Sequence, residues 1–270
     1  MKSYKAAALK MNSQPDLEAN LEQAAGRIAQ AVERGSRLVG LPEHFAYFGD
    51  EKGKMTKADT IAEKSRQFLK EQAKSHGIYL LGGSFPEPSE DGRVYNRSLL
   101  LNPSGQVVAQ YDKIHLFDVD VPDGYTYRES NNVHGGELEP VTFESDEVGK
   151  LGLTICYDLR FPELYRALAR RGAEVLLVPS AFTALTGEAH WKLLLRARAV
   201  ENTCYVLAPA QGGTHGPKRQ TWGHPMIVDP WGKVFDEAGK NEDMAIAEIN
   251  PERLMEIRRQ MPSLQHIRLK

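Results

Sequence analysis

Cysteine is nearly absent from this 270-residue chain: only Cys156 and Cys204 occur, in no CxxC pair, so a disulfide framework and a structural zinc site both lack a basis. Each thiol has to be explained singly. No apolar run approaches the roughly 18 to 20 residues that a bilayer span requires. The opening MKSYKAAALKMN has neither the apolar core nor the cleavage site of a signal peptide. We therefore expect a cytoplasmic protein without a membrane partner. Nor is charge of one sign in excess. The formal net charge is −2 with both signs interspersed, which leaves no basic stripe for nucleic acid and favours a small-molecule substrate. The eight histidines, His44, His115, His190, His215 and His224 among them, show no HxH or HExxH spacing, so no metal site is expected. Internal repeats, low-complexity tracts and long linkers are also missing. Nothing marks a domain boundary, and residues 1–270 read as one domain.

What the chain does have is 41% hydrophobic and 26% charged residues, enough to bury a large core. Short β-rich runs are predicted at 4–11, 37–41, 78–84, 94–102, 106–111, 151–155, 174–178, 205–210, 226–228 and 244–249. Apolar residues at three- and four-residue spacing predict helices over 17–33, 61–75, 162–171, 189–202 and 251–260. Strands alternating with helices argue for an α/β or α+β layered fold. Pro103-Ser104-Gly105 and Asp229-Pro230-Trp231-Gly232 separate strand candidates as turns, not phosphate loops. Residues 263–270 read as a loose tail or a dimer arm.

Three residues stand where chemistry collects in such folds, just past the ends of apolar strands. In KLGLTICYDLRFPELYR, Cys156 follows a strand and precedes Pro162, which suits the first turn of a helix. A helix start offers unpaired backbone N–H groups that can stabilise a thiolate and later an oxyanion. The plain alternative is a buried, inert cysteine. Glu43 follows Arg37-Leu-Val-Gly-Leu41 and Pro42 beside His44, Phe45 and Phe48, where desolvation can raise a carboxyl pKa toward that of a general base. A surface glutamate is the alternative. Lys113, in Tyr111-Asp-Lys-Ile-His-Leu-Phe117, could present a fixed cation to a developing oxyanion, or could merely snorkel from an edge strand. A thiol, a base and a cation at comparable strand ends form a set suited to nucleophilic catalysis.

LPEHF around Glu43, YDKIHLFD around Lys113 and LTICYDLRFPELYR around Cys156 together resemble the carbon–nitrogen hydrolase (nitrilase) superfamily, in order and in separation. AAALKMNSQPDLEANL, VPSAFTALTGEAHWKLLLRARAVENTCYVLAPAQGG and GHPMIVDPWGKV extend the resemblance over essentially the whole chain. Within the superfamily, HLFDVDVPDGYTYRES and PSAFTALTGEAHW tilt it toward the deaminated glutathione amidase branch, with the ω-amidase branch close behind. The resemblance implies a single-domain, four-layer α-β-β-α sandwich, no cofactor, and a homodimer or higher homo-oligomer. It implies Cys156 as nucleophile, Glu43 as base, Lys113 as oxyanion cation, and Glu129 of Tyr127-Arg-Glu-Ser130 as a second glutamate bracing the lysine and the substrate. Sequence alone would leave Glu129 as a loop carboxylate. Tyr157 is expected beside the substrate, with a nearby backbone N–H as an oxyanion donor. Arg160 matches a position that can meet a substrate carboxylate, against an ion pair with Asp158 or Glu163. Phe182 and Thr186 are expected to shape the pocket, against simple packing and capping near Gly187. Glu201 reads as a structural ion-pair partner and Cys204 as core. The implied reaction is hydrolysis of an amide of a 2-oxo acid, deaminated glutathione giving 2-oxoglutarate and cysteinylglycine, as metabolite repair. The rivals are ω-amidase action on 2-oxoglutaramate, a non-catalytic scaffold keeping the fold, and, ranked lower, nitrile hydrolysis.

Overall fold

The computed structural model describes residues 1–121, 126–216, 219–239 and 242–269. Its frame follows from one strand, Tyr4–Met11, whose side chains are buried on both faces of the pleat. Ala6 and Ala8 point into one core, while Ala7, Leu9 and Met11 point into another. The second core is closed by the helices Leu17–Glu33 and Ala58–His76, whose buried stripes include Ala24, Ile28 and Ala31 on one and Ile61, Leu69 and Ala73 on the other. The first core is the seam between two sheets.

One sheet, of ten strands among the described residues, runs in order Arg219–Trp222, Ala210–His215, Tyr4–Met11, Ser36–Gly40, Tyr79–Leu81, Val94–Leu101 and Phe85–Pro88, with Met244–Ile249 also pairing to Tyr4–Met11. The other, of six, runs Thr142–Ser145, Gly149–Leu153, Val175–Leu177, Tyr205–Ala208, Met226–Val228 and Val234–Glu237. Its outer face carries the helices Pro162–Arg170 and Lys192–Asn202. Helices, sheet, sheet and helices make the four-layer α-β-β-α sandwich that the resemblance implied.

Local signals account for the best-placed helices. Asp16 accepts from the Ala19 N–H and Asn250 from those of Glu252 and Arg253, so both helices start on a side-chain cap. Pro162 and Pro251 occupy first-turn positions where the missing N–H costs nothing. The helix expected over 189–202 begins as a π-helical turn, Gly187–Trp191, before the regular Lys192–Asn202. The tail turns once more over Ser263–His266, beside the helix Lys192–Asn202 and with Leu264 packed against buried core residues, so this part is docked. No helix among the described residues is long and apolar enough to cross a membrane.

Candidate active site

Strands from both sheets deliver the candidate residues to one end of the seam. Ser36–Gly40 continues through Leu41, whose N–H bonds the Leu81 carbonyl, and Glu43 follows at the turn. That turn needs Gly83, at φ +53°, because a Cβ there would stand 2.0 Å from the Pro42 carbonyl oxygen. Lys113 follows the strand Val107–Asp112, its N–H bonded to the Asn96 carbonyl. From the other sheet, Gly149–Leu153 leads through Thr154 and Ile155 to Cys156, which opens the 3₁₀ turn Cys156–Arg160. Cys156 has φ +49°, a left-handed conformation that costs a non-glycine residue on the order of 1 kcal/mol. Asp158 holds the elbow: it is fully buried and accepts from the Ile155 N–H, the Tyr111 hydroxyl at 2.7 Å and the His115 N–H.

Glu43, Lys113, Glu129 and Cys156 meet in one cavity of about 220 Å³. Glu43 is 2% exposed and has a partner for each oxygen: Oε1 accepts from Lys113 Nζ and Asn96 Nδ2, both at 3.0 Å, and Oε2 from the Ala181 N–H at 2.9 Å. The Cys156 thiol stands near enough to the Glu43 carboxylate to help hold its pKa down. Lys113 Nζ reaches Glu129 at 2.9 and 3.2 Å, and Glu129 is fixed in turn by the Phe117 N–H at 2.7 Å. Asn96 bridges the two glutamates, donating to Glu129 at 3.3 Å as well. Sequence reasoning missed Asn96, yet the signal was there: Val94, Asn96 and Ser98 are buried on alternate positions of one strand, so a polar side chain stands in a core-facing register.

Two electrostatic expectations are corrected. Burial does act to raise the Glu43 carboxyl, but the adjacent Lys113 ammonium and hydrogen bonds from Cys156, Lys113 and Asn96 outweigh it, holding the group below the usual glutamate range. The Cys156 thiol is not stabilised as a thiolate either: burial and the Glu43 charge push it well above the usual thiol range, against Lys113. A single 3₁₀ turn supplies too little dipole to offset this, and the Cys156 N–H is already given to the Pro179 carbonyl at 3.0 Å. Lys113 loses by burial and gains more from Glu129, Glu43 and Cys156, so it titrates well above the usual lysine range. Glu129 is disfavoured by burial and restored by Lys113, ending below the usual range. These directions make the resting set a thiol, two carboxylates and one ammonium.

The remaining candidates line the same cavity. Tyr157 packs edge-on against Phe117 and Phe161, and its N–H is the next in the turn after that of Cys156. Arg160 makes no ion pair with Asp158 or Glu163; its guanidinium lies over the rings of Tyr157 and Phe182, and Nη2 stands 3.2 Å from His190 Nδ1. Phe182 packs against Trp191 as well as facing the cavity. Thr186 also does both: it lines the cavity and bonds Thr183, which caps the short turn Ala184–Thr186. Lys54, Arg128, Thr183 and Arg219 line the cavity too and were not anticipated. Residues 122–125 of HLFDVDVPDGYTYRES lie outside the described residues. Away from the site, Glu201 pairs with Arg198 at 2.8 Å and Cys204 is fully buried, as expected of structural residues.

Comparison with known proteins extends this picture over the chain. The carbon-nitrogen hydrolase family matches residues 5–259. A deaminated glutathione amidase of Synechocystis sp. is 54% identical over 98% of this chain and 98% of its own. Omega-amidase NIT2 of Mus musculus is 38% identical, over 99% of this chain and 96% of its own. Among solved structures, the NitFhit protein of C. elegans superposes with a TM-score of 0.92 at 39% identity, covering 99% of this chain and 66% of that longer one.

Proposed function

Because the chain belongs to the carbon–nitrogen hydrolase family, we propose that it is an amidase whose nucleophile is Cys156, whose acid–base group is Glu43, and whose substrate is deaminated glutathione. The observation that carries the chemistry is that one buried carboxylate, Glu43, bonds the Lys113 ammonium at 3.0 Å and lines the same cavity as the Cys156 thiol beside it. In the acylation step the thiol proton passes to Glu43 as sulfur bonds the amide carbon. The negative charge on the carbonyl oxygen is met by Lys113 and the Tyr157 N–H. The C–N bond then breaks, the amine leaves with the proton from Glu43, and a thioester remains. Water opens the thioester after giving a proton to Glu43, and the acid departs as the thiol reforms. Glu129 and Asn96 touch no reacting atom in this scheme; they keep Lys113 charged and aimed.

The substrate assignment is supported by the names of the relatives, several of them deaminated glutathione amidases from bacteria to mammals. Hydrolysis would release 2-oxoglutarate and cysteinylglycine, a repair of stray transamination of glutathione. The 38% identity to an omega-amidase keeps a second reading open, in which 2-oxoglutaramate is cut and ammonia leaves. A turnover assay on the two substrates, with Cys156→Ala as control, decides between them: preference for the tripeptide supports the assignment, and strong preference for the small amide overturns it. Equal turnover by Cys156→Ala would remove the nucleophile, and no turnover of any amide, with no acyl adduct by intact mass, would favour a scaffold.

We read the protein as cytoplasmic, one domain over 1–270, and self-associating. Exposed Leu185, Leu193, Val200 and Trp231, on or beside the helical layer that follows the catalytic elbow, support a symmetric pairing of copies. Sedimentation at micromolar concentration checks it.

A further inference from the structure

Among the described residues five cations line the cavity, and three of them have carboxylate partners. Lys54 pairs with Glu51 at 2.6 Å, Lys113 with Glu43 and Glu129, and Arg128 with Asp120 at 3.0 Å. Arg160 and Arg219 pair with no carboxylate among the described residues. Each guanidinium instead lies over two aromatic rings, Arg160 over Tyr157 and Phe182, Arg219 over Phe48 at 4.6 Å and Tyr127 at 5.4 Å. Stacking uses the faces of a guanidinium and leaves its in-plane N–H groups to donate. In Arg219, Nε is buried with no hydrogen-bond partner among the described residues, a donor that costs free energy until an acceptor arrives. A substrate with one carboxylate would satisfy one of these cations and leave the other bare.

Position separates their tasks. Arg160 lies four residues past the nucleophile, on the 3₁₀ turn of the elbow, among Tyr157 and Phe182. Arg219 starts the strand Arg219–Trp222 of the other sheet, and its ring partner Phe48 packs on His44 at 5.1 Å, next to the proton donor Glu43. His44 adds no charge of its own, because burial first, then Lys54 and Arg219, hold its imidazole well below the usual range. The leaving nitrogen must face Glu43 to take its proton, so the leaving group extends past Glu43 and His44 toward Phe48 and Arg219, and the acyl portion extends toward Arg160.

We propose that Arg219 is the specificity residue of the leaving side: it takes the terminal carboxylate of a peptidic amine, while Arg160 takes the 2-oxo acid carboxylate. The inference rests on the amidase reading above and deepens it. The pocket then selects amides with two carboxylates, one at each end, over amides whose leaving group is ammonia.

Steady-state kinetics of the purified chain test this with three substrates: deaminated glutathione, the same compound with its glycine carboxylate converted to a primary amide, and 2-oxoglutaramate. Arg219→Gln should lower kcat/KM for deaminated glutathione by about tenfold to a hundredfold, mostly through KM, and change 2-oxoglutaramate by less than about twofold. Arg160→Gln should impair both. Amidating the glycine should cost the wild-type protein the same factor and cost Arg219→Gln nothing further, which a merely structural arginine would not produce. Equal losses on deaminated glutathione and 2-oxoglutaramate, or independent losses from the variant and the amidation, overturn the inference while leaving the amidase intact. If Arg219→Gln does not fold, equal turnover of acid and amidated forms by the wild-type protein overturns it. A wild-type protein that turns over none of the three sinks the amidase reading itself, and this inference with it.

Discussion

Cys156 and Cys204 are both buried thiols, and burial pushes both above the ordinary range, Cys204 to about 11. Their surroundings differ. Cys204 is sealed in the core, with its Sγ 3.1 Å from the Ala173 and Asn202 carbonyl oxygens and 3.4 Å from Arg258 Nη2. Cys156, with a left-handed backbone, lines a cavity beside the Glu43 carboxylate and the Lys113 ammonium. A depressed pKa therefore does not mark the sulfur we propose as nucleophile. Access and a neighbouring base mark it, and the low thiolate population is offset by transferring the proton during attack.

The largest test of that contrast is substitution of each thiol. Cys156→Ala should lower turnover by roughly four orders of magnitude or more while melting within a few degrees of the parent. Cys204→Ala should keep kcat/KM and lose about 1 kcal/mol of stability by thermal denaturation. A reversed pattern would move the nucleophile. Next in size, Lys113→Ala should cost roughly 10²- to 10³-fold in kcat if the ammonium holds the oxyanion. Normal turnover in a folded variant would reassign it.

Thiol titration sharpens the comparison. The Glu43 charge raises the Cys156 pKa, so Glu43→Gln should move the titration down, and Lys113→Ala should move it up. Cys204, remote from both, should not move. Ultraviolet thiolate absorbance reads the shifts, with Cys156→Ala supplying the Cys204 background. A Cys156 titration unchanged by Glu43→Gln would mean that the two groups do not sense each other. A test of the scaffold rather than of either thiol is at Gly83: an Ala there meets the Pro42 carbonyl at a positive φ, so we expect a loss of about 3 kcal/mol by thermal denaturation with reduced kcat.

The legible parts of this molecule are those whose pattern is local. Tyr4–Met11, Leu17–Glu33 and Pro251–Gln260 begin and end where period, caps and proline place them. The strand-end positions of Glu43, Lys113 and Cys156 are equally local, whereas their meeting is a property of two sheets facing each other. Phe85–Pro88, with two prolines in four residues, and Thr142–Ser145, with little of it buried, are strands only because a neighbour pairs with them. The same holds for Ala210–His215, where two glycines obscure the pattern. Asn96 was readable from its register, but Arg219 was not: a lone arginine after Gly-Pro-Lys acquires meaning only from the rings that the fold brings around it. The direction of the Glu43 shift was misread because the counter-charge comes from Lys113, distant in sequence.

Glu43 receives the N–H of Ala181, so a residue carried by one sheet is fastened to the chain leaving the other. Glu43 and Cys156 ride on separate slabs, so the filling between the slabs bears on how far that sulfur stands from that carboxylate. Ala6 and Ala8, small and fully covered on the inner face of Tyr4–Met11, act as shims in that gap. Residues that never see a substrate thus govern the alignment of those that do, and evolution could retune the catalyst's pace by changing the spacing of the slabs without touching its chemistry.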